Sequence, residues 1–467
     1  MSNGQMNIVM SDGVTIVVPD DIGLMTPYVL LEQRDWFEEE IHFVRRFAGQ
    51  GMSAIDVGAN YGVYTLALAR AVGSSGRIWA FEPASRTAGF LTQSLELNGF
   101  SQVKLMELGL SDHEGTATLR TYPNSELNSL HAGSGGEGEM IALCTLDACE
   151  ALGQGRRFDF IKLDVEGEEA NVVKGGRRFF AEQSPLVMFE IRSRVEITHE
   201  VPDLLLAAGY RIFRLVPGLQ VLVPWEPAEP LDPYQLNLFA AKADRIAALA
   251  EAGCLVGDDR EEISMRPPLN LWWQILREQP WAAELLPRWQ ALCAPGGSDD
   301  WMQYRDALNQ FFVSAARNGS APLRFNALRS CFEALGRLAQ VRPTLPILSS
   351  FARVAAAFGK RGTAVKILLQ LRDMVATEGN FDLNTPLLPA DRRFEGLAFS
   401  DVPRDWIVVS ILETLERLQN FSSYFAPEES AVLLREVVGR RFHGEESRGR
   451  QRLSAMRQAG GGSDDQG

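Results

Sequence analysis

The stretch Ser53-Ala-Ile-Asp-Val-Gly-Ala-Asn-Tyr-Gly-Val-Tyr-Thr-Leu-Ala-Leu-Ala-Arg-Ala-Val72 decides how the chain is read. A short apolar run ends in an acid, a turn with Gly58 and Gly62 follows, and alanines and leucines then take up helical spacing. That pattern predicts strand, tight loop and helix. Such a unit gathers backbone N–H groups and a carboxylate at the carboxyl end of a parallel strand, where open α/β sheets bind ligands. Glycine at 58 lets a ligand approach the backbone, and glycine at 62 lets the helix start close against the strand.

The spacing Asp56-x-Gly58-x-Asn60-x-Gly62 lacks the third glycine of the dinucleotide fingerprint, and its acid lies on the strand itself. A pyrophosphate favours bare N–H groups and is repelled by a carboxylate. S-adenosylmethionine, with a sulfonium and an ammonium against one carboxylate, is helped by it. Asp56 therefore favours S-adenosylmethionine over a nicotinamide dinucleotide. The next strand, Arg77-Ile-Trp-Ala-Phe-Glu-Pro83, ends in Glu82. An acid about 25 residues beyond the first lies beside the first loop in a doubly wound sheet and can accept from both ribose hydroxyls. A solvated strand end accounts for one such acid less readily once a glycine loop adjoins it.

Working outward, residues 1–50 read as an N-terminal segment packed on the sheet. Asp12-Gly13 turns into a β-branched run over 14–18, and Asp35 with Glu38 forms a capping box for a helix over 36–47. A helix over 86–98 and a strand over 103–108 come after Glu82. Leu110, Ser111 and Asp112 follow that strand, placed to pack on an adenine and accept from its amino group, although turn chemistry alone also favours Ser-Asp. Strands over 115–120 and 140–145 flank a polar, Gly-rich excursion over 123–138, a candidate lid or a plain linker.

The second decisive stretch is Phe158-Asp-Phe-Ile-Lys-Leu-Asp-Val-Glu-Gly-Glu-Glu169. Asp164 ends a buried strand, and three more carboxylates crowd around Gly167. Like charges packed together need a cation, a proton or a catalytic task, whereas Glu168 fits a first helical turn on macrodipole grounds alone. A helix over 169–180, a strand over 185–190 ending in Glu190, and strands over 210–215, 220–223 and 236–240 complete the sheet.

Six motifs now stand in order: Asp-Val-Gly-Ala-Asn-x-Gly at 56–62, Ala-Phe-Glu-Pro at 80–83, Asn98, Leu-Ser-Asp at 110–112, Thr-Leu-Asp at 145–147 and Ile-Lys-Leu-Asp-Val-Glu-Gly-x-Glu at 161–169. Together they resemble the FkbM family of methyltransferases over about half the chain. The resemblance implies an α/β fold, the class I methyltransferase (Rossmann-like) sheet of seven strands with helices on both faces and the last strand antiparallel. It implies S-adenosylmethionine as cofactor and a hydroxyl of a sugar, glycan, glycolipid or natural product as acceptor. It puts Asp56, Gly58, Ala59, Asn60 and Gly62 around the methionine moiety, Glu82 on the ribose, and Leu110, Ser111 and Asp112 at the adenine. The reacting end falls to Asp164, Glu166 and Glu169, with Asp164 as base or orienting carboxylate. No dedicated metal site is read, although the same carboxylates suit a hard divalent ion and the sequence leaves base and ion open.

Residues 51–240 thus form the methyltransferase-like domain. From 241 to 447 helical patterns take over, faintly repeat-like, and give an all-α domain; after 448 the Gly, Ser, Gln and Asp composition predicts a disordered tail. Trp272, Trp273, Trp281, Trp289 and Trp301 read as core before sugar platform. The net charge of −14 argues against nucleic acid or an anionic membrane as partner. Five cysteines without a metal or disulfide spacing, no export signal and no apolar run near the roughly 18 residues of a membrane span point to the cytoplasm. The competing function is an interaction protein, its helical half recruiting a protein partner while the sheet domain binds cofactor without turnover.

Overall fold

The apolar run at 53–57 becomes the central strand of a large mixed sheet in the computed structural model, which describes residues 4–460 except 129, 131–136, 151–156, 194–195, 198, 227–228, 258–266, 378–380 and 400–401. The sheet strands are β1 (Ser53–Val57), β2 (Arg77–Phe81), β3 (Val103–Met106), β4 (Phe160–Leu163), β5 (Leu186–Glu190), β6 (Arg211–Val216), β7 (Val221–Pro224) and β8 (Asn237–Ala241). Their order is β7-β6-β8-β5-β4-β1-β2-β3. β1 pairs in parallel with β2 and with β4, so the chain turns one way after β1 and returns on its other side. That reversal opens a crevice at the carboxyl ends of β1 and β4, where doubly wound sheets place their ligands. β8 runs antiparallel between β5 and β6.

The sheet has eight strands where seven are expected. The eighth, β7, folds back on β6 as an antiparallel hairpin. Val221 and Val223 bury their β-branched side chains in the hydrophobic core of the helical half, and Gly218 N–H donates to the Ala357 carbonyl at 2.8 Å. An edge strand is thereby covered instead of left to pair with another chain.

Four helices bear on the site: α1 (Met25–Gln33), α2 (Glu40–Phe47), α3 (Val63–Val72) and α4 (Ser85–Asn98). The expected helix over 36–47 starts only at Glu40. Asp35 does not cap it; its carboxylate is taken by Arg45 at 2.6 Å and Ser11 at 2.7 Å, and 36–39 form an irregular bend and turn that line the crevice at Trp36, Phe37 and Glu38. The expected helix over 169–180 breaks into Glu169–Gly175 and Arg177–Glu182. Gly175 is the reason: a Cβ there would stand 2.1 Å from the Ser111 carbonyl oxygen, so the chain closes on the strand Gly109–Ser111 and must turn. That strand, with Gly115–Thr121 and Glu137–Thr145, forms a separate three-stranded sheet beside the main one.

The C-terminal half is helical, built on Asp299–Ala315, Ala321–Val341, Leu345–Phe358, Arg361–Thr377 and Pro403–Gln419, each packed on the next. Trp272, Trp281 and Trp289 are fully buried there, Trp281 stacking on Trp406 at 5.3 Å, so the tryptophans are core. The helix Ala243–Glu251, although beyond residue 240, packs on the sheet through Ile246 and Leu249. The tail does not lose structure at 448. Residues Glu445–Gly460 form a helix whose Arg450 is buried between Glu32 and Glu416, at 3.2 and 2.9 Å; residues 461–467 lie outside the described residues. Composition misled because one buried arginine, not an apolar face, holds that helix. Among the described residues no helix is long and apolar enough to cross a membrane, and all five cysteines are free thiols.

Candidate active site

The carboxyl ends of β1, β2, β4 and β5 deliver Asp56, Glu82, Asp164 and Glu190 to one cavity of about 340 Å³. Two glycines make the crevice narrow enough to build it. Gly58 has φ of 78°, and a Cβ there would lie 1.8 Å from the Asp164 carbonyl oxygen. The loops after β1 and β4 therefore touch backbone to backbone. Gly62, at φ of 95°, heads α3, and its Cβ would meet the Leu91 side chain at 2.3 Å.

Glu82 accepts the N–H of Asn60 through Oε2 and that of Ala84 through Oε1, both at 2.9 Å. Burial pushes its carboxyl up to about 7 in spite of those two bonds. Asp56 is 0% exposed; Oδ2 accepts from Thr65 at 2.6 Å, while Oδ1 is buried without a partner. Its carboxyl is likewise raised by burial, with Lys162 opposing. A buried acceptor left over at a ligand-sized cavity is a vacancy for a donor, preferably a charged one.

Lys162, 4% exposed, projects from β4 and pairs with Asp164 at 2.7 Å, its ammonium 4.9 Å from the Tyr64 ring centroid. Burial alone would pull Lys162 down, but Asp164, Asp56 and Glu38 together raise it, so it stays charged. Glu38, which the capping-box reading placed on a helix, accepts from Tyr64 Oη at 2.5 Å inside the cavity instead. Glu166, held in the left-handed region at φ of 51°, is pushed up to about 8 by burial and by the Asp164 and Glu169 charges. Glu190 rises to about 10 from burial and the same acids.

Of the residues singled out in the sequence, Asp56, Gly58, Ala59, Asn60, Gly62, Glu82, Leu110, Asp164 and Glu166 line the cavity. Three do not. Ser111 is buried with its carbonyl against Gly175, and Asp112 is turned to solvent, bonded to His113 Nδ1 at 2.7 Å; the pairing of 109–111 with 143–145 carries them away from the crevice. Glu169 lies behind the wall, where Oε1 accepts the N–H groups of Val165 and Gly167 at 2.8 and 3.3 Å. It closes the turn that holds Asp164 and Glu166. The carboxylate oxygens of Asp164, Glu169 and Glu190 come within 4.8 Å of one another, but Oε1 of Glu169 is already spent on backbone.

The candidate lid over 123–138 contributes Ser125, Glu126, Asn128 and Leu130 to the lining, and Ser125 Oγ donates to Asn60 Oδ1 at 2.8 Å. Sequence reading missed Trp36, Phe37, Phe421 and Phe425, which join Tyr61, Tyr64 and Phe81 in the lining. Trp36 and Phe37 were assigned to a helix, and nothing local to residues 421 and 425 marks them.

Strand order β3-β2-β1-β4-β5-β8-β6 with β8 reversed, and acids crowning β1 and β2 over a shared cavity, define a class I methyltransferase domain. More particularly, residues 56–212 match the methyltransferase FkbM domain. Methyltransferase sdnD of Sordaria araneosa is 31% identical over 26% of this chain and 59% of its own length. Methyltransferase 1 of Beauveria bassiana (strain ARSEF 2860) is 29% identical over 26% and 57%. The chain thus spans under two thirds of either relative. Among solved structures, the FkbM methyltransferase of Methylobacillus flagellatus KT overlaps 41% of this chain and 43% of its own at 20% identity, with a TM-score of 0.29. The SAM-dependent O-methyltransferase of Thermotoga maritima overlaps 51% and 77% at 15% identity and a TM-score of 0.27. These overlaps are partial, and the strand order is what defines the fold.

Proposed function

We propose that the protein is an S-adenosylmethionine-dependent O-methyltransferase whose acceptor is a hydroxyl of a sugar, glycan, glycolipid or natural product. The observation that carries this reading is the convergence of Asp56, Glu82 and Asp164 on one cavity at the reversal of strand order. The residues present fit the donor. Asp56 Oδ1 lacks a partner and suits a cation, the 58–62 loop admits a ligand against its backbone, and each Glu82 oxygen keeps a lone pair for a ribose hydroxyl beyond the N–H it already accepts. When bound, S-adenosylmethionine supplies an electrophilic methyl group on a sulfonium.

The chain's own task is to place an alcohol in line with that methyl, about 3 Å away, and to take its proton. Asp164 is the group for it. Lys162 fixes its Oδ2, which leaves Oδ1 to accept the acceptor's proton. Glu166 neighbours it and orients the acceptor, and Glu169 positions both through the turn.

Calorimetry with S-adenosylhomocysteine tests the donor half: folded protein should give saturable heat, and none counts heavily against the reading. Asp164→Asn should lower turnover by about 10²–10⁴-fold, the range for a general base, while cofactor affinity holds. An unchanged rate removes Asp164 from the role. Mass spectrometry of glycans and small metabolites from cells with and without the protein, searched for the gain of one methyl, identifies the acceptor.

A further inference from the structure

We infer that the acceptor end of the cavity recognises a molecule carrying a protonated amine beside a flat apolar face, and that the helical half supplies part of that subsite through Phe421 and Phe425. The inference deepens the methyltransferase reading and rests on it. Two independent features of the cavity support it.

The first is an aromatic wall. Trp36 and Phe37 lie on the irregular segment before α2, ring centroids 4.6 Å apart, and Phe37 meets Phe421 at 5.2 Å and Phe425 at 6.0 Å. All four line the cavity, and Phe425 remains 44% exposed at its rim. The wall joins both halves of the chain, and it is anchored: Gln33 donates to the Phe421 carbonyl at 2.7 Å, Tyr28 and Ser423 share a hydrogen bond of 2.8 Å, and Tyr424 Oη donates to the Gly23 carbonyl at 2.9 Å. Rings held in that way offer faces without an ordering cost at binding.

The second is charge. Among the described lining residues eight are acidic and one, Lys162, is basic. Lys162 answers Asp164, and Asp56 and Glu82 serve the donor. S-adenosylmethionine carries a net charge of only +1; Glu38 shares Lys162, Glu168 accepts from Asn171 at 2.9 Å, and Glu126, Glu166 and Glu190 are left without a cation in the lining. Glu166 and Glu190 also accept no hydrogen bond among the described residues. Glu166 and Glu190, raised to about 8 and about 10, hold protons in ligand-free protein, and a hydroxyl would bond to their oxygens without drawing those protons off. An ammonium does both, and aromatic faces attract it besides. A neutral polyol fits the rings and not the acids; a metal ion fits the acids and not the rings.

The test uses the full chain saturated with S-adenosylhomocysteine and two probes of nearly equal shape, 2-phenylethylammonium and 2-phenylethanol, with binding followed by saturation-transfer NMR. The amine should bind about tenfold tighter or better, as one charge-assisted hydrogen bond gives. Phe425→Ala and Glu166→Gln should each weaken the amine about fivefold or more, with S-adenosylhomocysteine affinity kept within about twofold. Equal binding of both probes, binding of neither, or indifference of both variants overturns the proposal. Failure of the methyltransferase reading shows separately, as no binding of S-adenosylhomocysteine at the outset.

Discussion

The 58–62 loop and the 420–426 segment line the same cavity, yet they reach it by different kinds of information. The first is set by neighbours: Gly58 and Ala59 donate to the Phe81 carbonyl at 3.0 and 2.9 Å, and Gly62 N–H turns back on Ala59. Its backbone hydrogen bonds stay within the loop and the end of β2, with Asp164, Leu91 and Ser125 closing on it from further along the chain. The second is held by Tyr28, 395 positions away, and by the buried Glu32–Arg450–Glu416 group. On the proposed reading the donor end is thus built from elements close in sequence, whereas the aromatic wall draws residues from both halves of the chain. A family resemblance confined to the first half accordingly implies a hydroxyl acceptor in general terms and says nothing of Phe421 and Phe425.

The sharpest way to break that division is Gly58→Ala. The added Cβ meets the Asp164 carbonyl and φ of 78° penalises any side chain, so stability should fall by more than about 4 kcal/mol and cofactor binding should vanish. The urea midpoint and calorimetry check it; a loss under about 1 kcal/mol would mean the two loops are not in backbone contact.

Arg450→Met attacks the other side. Removing the cation from between two buried carboxylates should cost about 3–5 kcal/mol, whereas replacing Glu32, Arg450 and Glu416 together by apolar residues should cost far less. If the division is real, the folded fraction of Arg450→Met still binds S-adenosylhomocysteine but loses acceptor turnover. Loss of both activities in folded protein would show the two ends to be one cooperative site.

Glu82→Gln is milder. Loss of a charged acceptor for the ribose hydroxyls should weaken S-adenosylhomocysteine by about 1–3 kcal/mol and leave the 2-phenylethylammonium subsite alone. Unaltered cofactor affinity removes Glu82 from the donor end.

How much of this was legible in the sequence follows the same line. Asp56, Glu82 and Asp164 were found because an acid at the end of an apolar run is a local pattern, and the strand order brought all three to one hollow. Asp112 was misplaced because turn chemistry at 110–112 says nothing of Gly175, whose contact turns that strand outward. Glu38 was read as half of a capping box because the sequence does not reveal that Arg45 claims Asp35. The helix Glu445–Gly460 was missed since its buried residues, Ser447 and Arg450, are polar. Phe421 and Phe425 carried no signal, for their role depends on partners across the whole chain.

The smallest effect separates the two ends by pH. In ligand-free protein Glu82 is raised to about 7 and Glu166 to about 8, from 4.5, chiefly by burial. A folded state that holds protons the unfolded chain has released is favoured at low pH. The contribution is complete below about 4.5 and is lost as pH climbs through 7 and then 8, at no more than about 1.4 kcal/mol per pH unit for each proton. The urea midpoint of ligand-free protein should therefore fall between pH 5 and pH 8, and Glu166→Gln should flatten the upper part of that fall. S-adenosylhomocysteine, whose ribose hydroxyls favour ionised Glu82, should flatten the lower part and leave the upper one to Glu166 and Glu190. If the cofactor abolishes the whole slope, Glu166 belongs to the donor end after all, and the acceptor wall begins further out, at the aromatic rings.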